Sequence, residues 1–228
     1  MTSSMQSVLI TGISRGIGRS LAEVFLNNGY KVVGTTLTGD ADFSHEHLTV
    51  LELDLAKPES IAACVARVES LQVTFDIVIN NAGVLLDEDE VVLVPELLRA
   101  TLEVNLIGTA DFAERVLPRI SPKGHLIFIS STAGSLEYEG HLISHFPKHY
   151  PAYKISKTAL NMYMRTLALR LKGSGPVVSS VHPGWVKTAM GGAEADLTPA
   201  EAAEYIYQFA ITRPETGFFW FKGKTLPW

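Results

Sequence analysis

Short apolar runs of strand length alternate with helical patterns along the whole chain. Ser7-Val8-Leu9-Ile10-Thr11 reads as a first strand that breaks at Gly12-Ile13-Ser14-Arg15-Gly16-Ile17-Gly18; apolar residues at Ile17, Leu21, Val24 and Phe25 then predict a helix. Asn28-Gly29 stops that helix, and Tyr30 to Thr35 reads as a second strand. A third strand, Leu48 to Leu53, ends at Asp54-Leu55 and is followed by a helix from Pro58, a residue suited to a first helical position. Phe75 to Ile79 makes strand four, closing on Asn80-Asn81-Ala82-Gly83. Two helical segments come next, roughly Val94 to Leu102 and Glu103 to Arg119, with Val104 to Gly108 between or within them. The run His125 to Ile129 is a fifth strand that stops at Ser130-Ser131, and a helical pattern begins at Tyr153-Lys154-Ile155-Ser156-Lys157. Val177 to His182 is strand six, Thr198-Pro199-Ala200-Glu201 is a capping-box start for the last helix, and Gly217 to Phe221 is a final strand.

Strand, helix and strand repeat throughout, which predicts a parallel sheet covered on both faces with right-handed crossovers. The expected fold class is α/β, a single-domain Rossmann-like, doubly wound sheet over residues 1–228. No internal repeat, low-complexity stretch or linker divides the chain. Its 228 residues allow a substantial core, and 46% hydrophobic with 19% charged residues is ordinary for a globular protein. A net charge of -5 and a pI near 5.8 provide no electrostatic footprint for nucleic acid or anionic membrane. Cys64, the only cysteine, excludes an internal disulfide and a cysteine-cluster metal site. The small, polar first residues run straight into a strand, without a signal-peptide core or a spanning apolar run, so the expected location is the cytoplasm.

The glycine turn sits where a strand hands over to a helix, an arrangement that cradles a pyrophosphate. Gly12 permits the tight turn, Gly16 lets backbone amides approach phosphates, Gly18 allows close helix packing, and the helix N-terminus favours negative charge. The spacing is G-x3-G-x-G, not the commoner G-x-G-x-x-G, and a plain glycine turn is the alternative. At the end of strand two, an acid would bond an adenosine ribose and repel a 2'-phosphate; Thr35 and Thr36 stand there, and Asp40 comes late. Arg15 could meet such a phosphate, or could be a solvated loop cation. Asp54 could accept from an adenine amino group, or cap its own turn. The small residues Asn81-Ala82-Gly83 let a ligand lie against backbone. Asn105, in an apolar neighbourhood, must satisfy a helix irregularity or a buried water, or help to hold a lysine through that water. The rigid turn Pro183-Gly184-Trp185-Val186-Lys187-Thr188 exposes backbone groups and a hydroxyl where a nicotinamide would lie. The acidic run Asp87 to Glu90 reads as a solvated loop face.

If Tyr153 opens a helix, Lys157 lies one turn on, on the same face. An ammonium beside a phenol favours the phenolate, so a group with an ordinary pKa near ~10 becomes a usable acid or base closer to neutrality. Ser131, at the mouth of strand five, could hold a carbonyl oxygen beside that phenol. Tyr150 with Lys154 offers the same spacing, but Tyr150 precedes Pro151 and is pushed out of the α region, so Tyr153 is the better candidate. A core-facing tyrosine with a solvated lysine is the bland alternative.

Taken in order, Thr11-Gly12-x3-Gly16-x-Gly18, Asp54, Asn80-Asn81-Ala82-Gly83, Asn105, Ser130-Ser131, Tyr153-x3-Lys157 and Pro183-Gly184-x3-Thr188 resemble the short-chain dehydrogenase/reductase family. The segment from His182 to Gly192 and the closing Gly223 to Trp228 are similar to its C-factor and Sniffer-like carbonyl reductase branch. The resemblance implies Tyr153 as general acid, Lys157 lowering its pKa and binding the nicotinamide ribose, Ser131 orienting the carbonyl, and Asn105 holding a proton-relay water. It implies a cofactor-binding set of Gly12, Ser14, Arg15, Gly16, Ile17, Gly18, Thr35, Asp54, Leu55, Asn81, Ala82, Gly83, Tyr153, Lys157, Pro183, Gly184, Val186 and Thr188. The activity expected is carbonyl and alcohol interconversion on a small molecule with NADP(H) preferred and NAD(H) possible; the alternative is a cofactor-binding signalling or sensor protein with little turnover. Homodimers or homotetramers through the helices holding Glu103 to Arg119 and Tyr153 to Leu171 are expected, a monomer being possible. The segment between Ser131 and Tyr153 is longer than usual in the family, with an insertion near Leu136 to His149. Its His141, His145 and His149 could align for a metal on one helix, but Pro147 interrupts them, and they are expected to line or cover the substrate cleft, with no metal.

Overall fold

The computed structural model describes residues 5–138 and 149–228. Its strands are β1 (Ser7–Ile10), β2 (Lys31–Thr36), β3 (Leu48–Glu52), β4 (Phe75–Asn80), β5 (Ile120–Ile129), β6 (Val177–Val181), β7 (Phe218–Phe221) and β8 (Lys224–Leu226). They form one sheet in the order β3-β2-β1-β4-β5-β6-β7-β8. Every neighbouring pair from β3 to β7 is parallel, as the strand and helix alternation predicts. The last pair is antiparallel and adds one edge strand to the otherwise parallel, doubly wound sheet. Lys222 and Gly223 both adopt positive φ, which closes a two-residue hairpin turn and returns the chain as β8.

The helices are α1 (Gly16–Asn27), α2 (Pro58–Ser70), α3 (Pro95–Leu102), α4 (Thr109–Val116), α5 (Pro151–Leu171) and α6 (Pro199–Ala210). Side chains alternate across the sheet, so that one strand feeds two cores. Val8, Ile10, Ile77, Ile79, Ile127 and Ile129 pack with α1 and α6 on one face. Leu9, Val78, Leu126 and Phe128 pack with α2, α4 and α5 on the other. The predicted capping box at Thr198 and Glu201 forms and starts α6. A π-helical turn at Glu103–Gly108 joins α3 to α4, and its loosened winding surrounds Asn105.

The strand order runs outward in both directions from β1 and β4, so their carboxyl ends border a crevice at the point where the topology reverses. The sites predicted from sequence fall along that edge. Among the described residues no helix is long and apolar enough to cross a membrane.

Candidate active site

At the end of β1, Thr11 ties the glycine turn to the loop after β4. Its hydroxyl accepts from the amides of Asn81 and Ala82, both at 3.0 Å. The Asn81 side chain donates back to the carbonyls of Thr11 at 3.0 Å and Gly12 at 3.1 Å. Gly12 has φ +75, and a Cβ there would stand 3.1 Å from Ala82. A Cβ at Gly18 would collide with the Gly12 carbonyl, so that glycine is the packing contact expected of it. Thr188 lies across the same turn, its methyl 3.2 Å from where a Gly16 Cβ would be, while its hydroxyl joins Val186 and Gly191. The turn, the loop after β4 and the segment after β6 therefore meet around a bare backbone cradle, a fit for a pyrophosphate. Ser14 is exposed, Ile17 is half-buried against the α1 core, and Pro183 and Gly184 are half-buried at the end of β6.

Thr35 and Thr36 are buried at the end of β2. The Thr35 hydroxyl accepts from the Gly12 amide at 3.3 Å, and Thr36 donates to the Asp40 carbonyl at 2.9 Å. Arg15 is exposed in the glycine turn, at the start of α1, and pairs with no carboxylate among the described residues, whereas Arg19 is held by Asp42 at 2.7 Å and Glu23 at 3.0 Å. Asp54 does cap its turn: it accepts from the Ala56 amide at 3.0 Å and pairs with Lys57 at 2.9 Å, and this bond to Lys57 holds its carboxyl below the usual range. Leu55 and Val186 are buried, the former in the core.

On the catalytic side, α5 begins at Pro151, and Tyr150 stands outside it in the left-handed region (φ 42), as its place before proline predicts. Tyr153 and Lys157 share one helical face. Lys157 is buried (5% exposed); its ammonium donates to the Ile129 carbonyl at 2.9 Å and lies 5.7 Å from the Tyr153 ring centre. Ser131, at the end of β5, hydrogen-bonds the Tyr153 phenol and accepts from the Ala133 amide at 3.1 Å. The electrostatics differ from the expectation of a lowered phenol. Desolvation pushes Tyr153 up to about 12, with the Ser131 bond pulling the other way, and burial pushes Lys157 down to about 8. The reason is that the ammonium is itself desolvated and aimed at a backbone carbonyl. The phenol therefore holds its proton at neutral pH, the state a general acid needs.

Asn105 sits in the π-helical turn, but its amide is spent on the loop after β4 and on α5, not on that turn's own backbone. Its Oδ1 accepts from the Val84 amide at 2.8 Å, and its Nδ2 donates to the Val84 carbonyl at 2.8 Å and the Ser156 hydroxyl at 3.0 Å. Ser156 then donates to the Tyr153 carbonyl at 2.7 Å. A Cβ on Gly83 would stand 3.1 Å from Asn105 Oδ1 and 3.5 Å from Lys157 Nζ, so the absent side chain keeps the floor open between them, room that suits a ribose. The acidic run is not uniformly solvated: Asp87 is buried and accepts from the Ala152 amide at 2.6 Å. Sequence reasoning missed Thr11 as a hub, Ser156 and Asp87. For Asp87 a signal existed: a helix opening on Pro151 after a residue without a capping side chain needs a cap from elsewhere. The segment after Ser131 is pinned by the chain's end, the Ser135 hydroxyl donating to the Pro227 carbonyl at 3.0 Å and the Glu137 amide to Trp228 O at 2.9 Å. His141 and His145, with most of the 136–149 insertion, lie outside the described residues.

Residues 6–197 match the short chain dehydrogenase family. The chain belongs to that family. It is thus an oxidoreductase of the NAD(P)(H)-dependent kind, and its structural likeness is to the carbonyl reductase and Sniffer type. This short-chain dehydrogenase is 30% identical over 206 residues to the 1-hydroxy-2-glutathionyl-2-methyl-3-butene dehydrogenase of Rhodococcus sp. strain AD45, covering 87% of this chain and 88% of that one. It superimposes on the carbonyl reductase Sniffer of D. melanogaster with a TM-score of 0.86 at 28% identity, covering 98% of this chain and 100% of that one. The NADPH-bound carbonyl reductase from chicken fatty liver aligns with a TM-score of 0.88 at 27% identity, covering 98% and 94%.

Proposed function

We propose that this short-chain dehydrogenase is an NADP(H)-preferring carbonyl reductase acting on a small molecule, with Tyr153 as proton donor. The observation that carries the reading is the convergence of Ser131 and Lys157 on one phenol at the switch-point crevice. A bound nicotinamide cofactor supplies the hydride. Ser131 holds the carbonyl oxygen beside the phenol; as hydride reaches the carbon, Tyr153 gives its proton to that oxygen, and the Lys157 ammonium stabilises the phenolate left behind. Lys157 would also hold the cofactor's ribose, for which the missing side chain of Gly83 leaves room beside the ammonium. Asn105 serves by position, holding Val84 and Ser156, with one Oδ1 lone pair left for a relay water. Arg15, with no carboxylate partner among the described residues, supplies a guanidinium for a 2'-phosphate, and Thr35-Thr36 bring no competing carboxylate. The solved carbonyl reductase that holds NADPH supports the cofactor assignment.

Absorbance at the nicotinamide band, read while aldehydes, ketones and diketones are offered with NADPH and then NADH, tests the reading. Turnover of at least one class, faster with NADPH, is expected. Tight cofactor binding without turnover of any of them would overturn it in favour of a cofactor-binding sensor or signalling role. The protein is expected to act in the cytoplasm and as a homodimer or homotetramer.

A further inference from the structure

Helix α5 carries Tyr153 as its third residue, yet its start lacks the usual local support. Tyr150 contributes no side-chain cap, and Pro151 has no N–H to offer. The first amide that needs a partner is that of Ala152, next to Tyr153. It donates to Asp87 Oδ2 at 2.6 Å, from a residue 65 positions earlier in the chain. Asp87 is 1% exposed, and its other oxygen, Oδ1, is buried with no hydrogen-bond partner among the described residues. A buried carboxylate with an unpaired oxygen is costly, and a mere cap could be met by a serine at the helix start. The positive end of a 21-residue helix offsets part of that cost.

Asp87 also lies three residues after Val84 on the loop following β4. Val84 is gripped by Asn105, which holds Ser156 and, through it, the Tyr153 carbonyl. The same loop thus holds the first turn of α5 at Ala152 from one side and, through Asn105, at Tyr153 and Ser156 from another. We propose that Asp87 is a positioning residue for the reaction, clamping the entry of the catalytic helix to the loop that forms the cofactor floor, so that the Tyr153 phenol stays aligned with Ser131. The proposal rests on the reading of Tyr153 as proton donor.

The test uses Asp87→Ala, Asp87→Asn and Tyr153→Phe in the full chain, with NADPH and NADPH deuterated at the transferred position. Asp87→Ala should lower kcat about 10-fold to 100-fold, the scale of a misplaced reacting group, with NADPH affinity within twofold of the unsubstituted protein. The deuterium isotope effect on kcat should rise, because chemistry becomes the slow step; a loss of folded fraction alone would not change it. Asp87→Asn keeps an acceptor oxygen at the same reach and should recover most of the rate. Should Asp87→Ala not fold, Asp87→Ser, whose oxygen is set back from the helix, carries the same comparison. An unchanged kcat and isotope effect in Asp87→Ala or Asp87→Ser, or an Asp87→Asn as slow as Asp87→Ala, overturns the clamp. If Tyr153→Phe keeps full activity, it is the proton-donor reading that fails; if Tyr153→Phe is inactive and Asp87→Ala normal, only the clamp fails.

Discussion

The Asn105 amide donates to the Ser156 hydroxyl at 3.0 Å across the seam between the π-helical turn and α5, and that hydroxyl donates to the Tyr153 carbonyl at 2.7 Å. Both residues are buried, so neither bond competes with water. The backbone that carries the phenol is thereby tied to a helix irregularity built around Asn105. What a π turn costs in winding it returns as an inward-facing amide with all its hydrogens used.

Tyr153→Phe removes the hydroxyl and keeps the ring, so turnover should fall by about 10²–10⁴-fold, the range for a lost general acid, with cofactor affinity nearly unchanged. Tyr150→Phe should act on substrate affinity, if on anything, because Tyr150 stands outside the helix in the left-handed region. Lys157→Met should damage both turnover and cofactor binding. Steady-state kinetics with fluorescence titration of NADPH separates these outcomes; full activity in Tyr153→Phe with none in Tyr150→Phe would reverse the assignment.

Arg15, in the glycine turn, has no carboxylate partner among the described residues, unlike Arg19 with Asp42 and Glu23. Arg15→Ala should weaken NADPH binding roughly 10- to 100-fold, the worth of one charge-assisted contact, and leave NADH nearly unaffected. Calorimetric titration of both cofactors measures this. Equal affinities in the unsubstituted protein would remove the basis of the prediction.

His125 is buried inside the sheet. Its Nδ1 donates to the Ala210 carbonyl at 3.1 Å, and its Nε2 shares a hydrogen bond with the Ser179 hydroxyl at 3.0 Å. Desolvation pushes its pKa down to about 4. The folded value lies below the unfolded one near 6.5, so the unfolded chain binds the extra proton. Stability is therefore full above pH ~6.5 and is lost as pH falls toward ~4, by roughly 3 kcal/mol from this residue. Urea unfolding of the unsubstituted protein and of His125→Gln across that range checks it. An identical acid slope in the two proteins would assign the loss to other groups.

Along α5, Ile155, Met162 and Leu169 recur every seven residues on one face and are exposed, Met162 at 66% and Leu169 at 69%. Ile107, in the π-helical turn before α4, is exposed as well. A face of this kind suits pairing of subunits through α4 and α5. Sedimentation should show dimers or larger assemblies, and Met162→Glu with Leu169→Glu should shift them to monomers with secondary structure intact. A monomer at high micromolar concentration without substitution is the contrary result.

The sequence by itself determined what depends on near neighbours. The alternation of strand and helix patterns requires layers around a parallel sheet; Gly12 to Gly18 between β1 and α1 marks the cradle; and Pro151, through its clash with the preceding residue, excludes Tyr150 from the helix of Lys157. Only the tertiary structure decided what depends on partners distant in the chain. Asp87 reads as one more solvated acid in 87–90 until α5 brings it the uncapped amide of Ala152, 65 residues later in the chain. Ser156 has no visible role until Asn105 reaches it from 51 residues away. The raised phenol of Tyr153 likewise follows from desolvation, which a spacing of Tyr and Lys cannot express. The hairpin of β7 and β8 rests on two positive φ angles, at Lys222 and Gly223, and the first belongs to a residue with no preference for that region. Periodicity and steric rules act over a few residues, whereas burial, long-range capping and the dielectric around a charge are set by whatever the fold packs alongside.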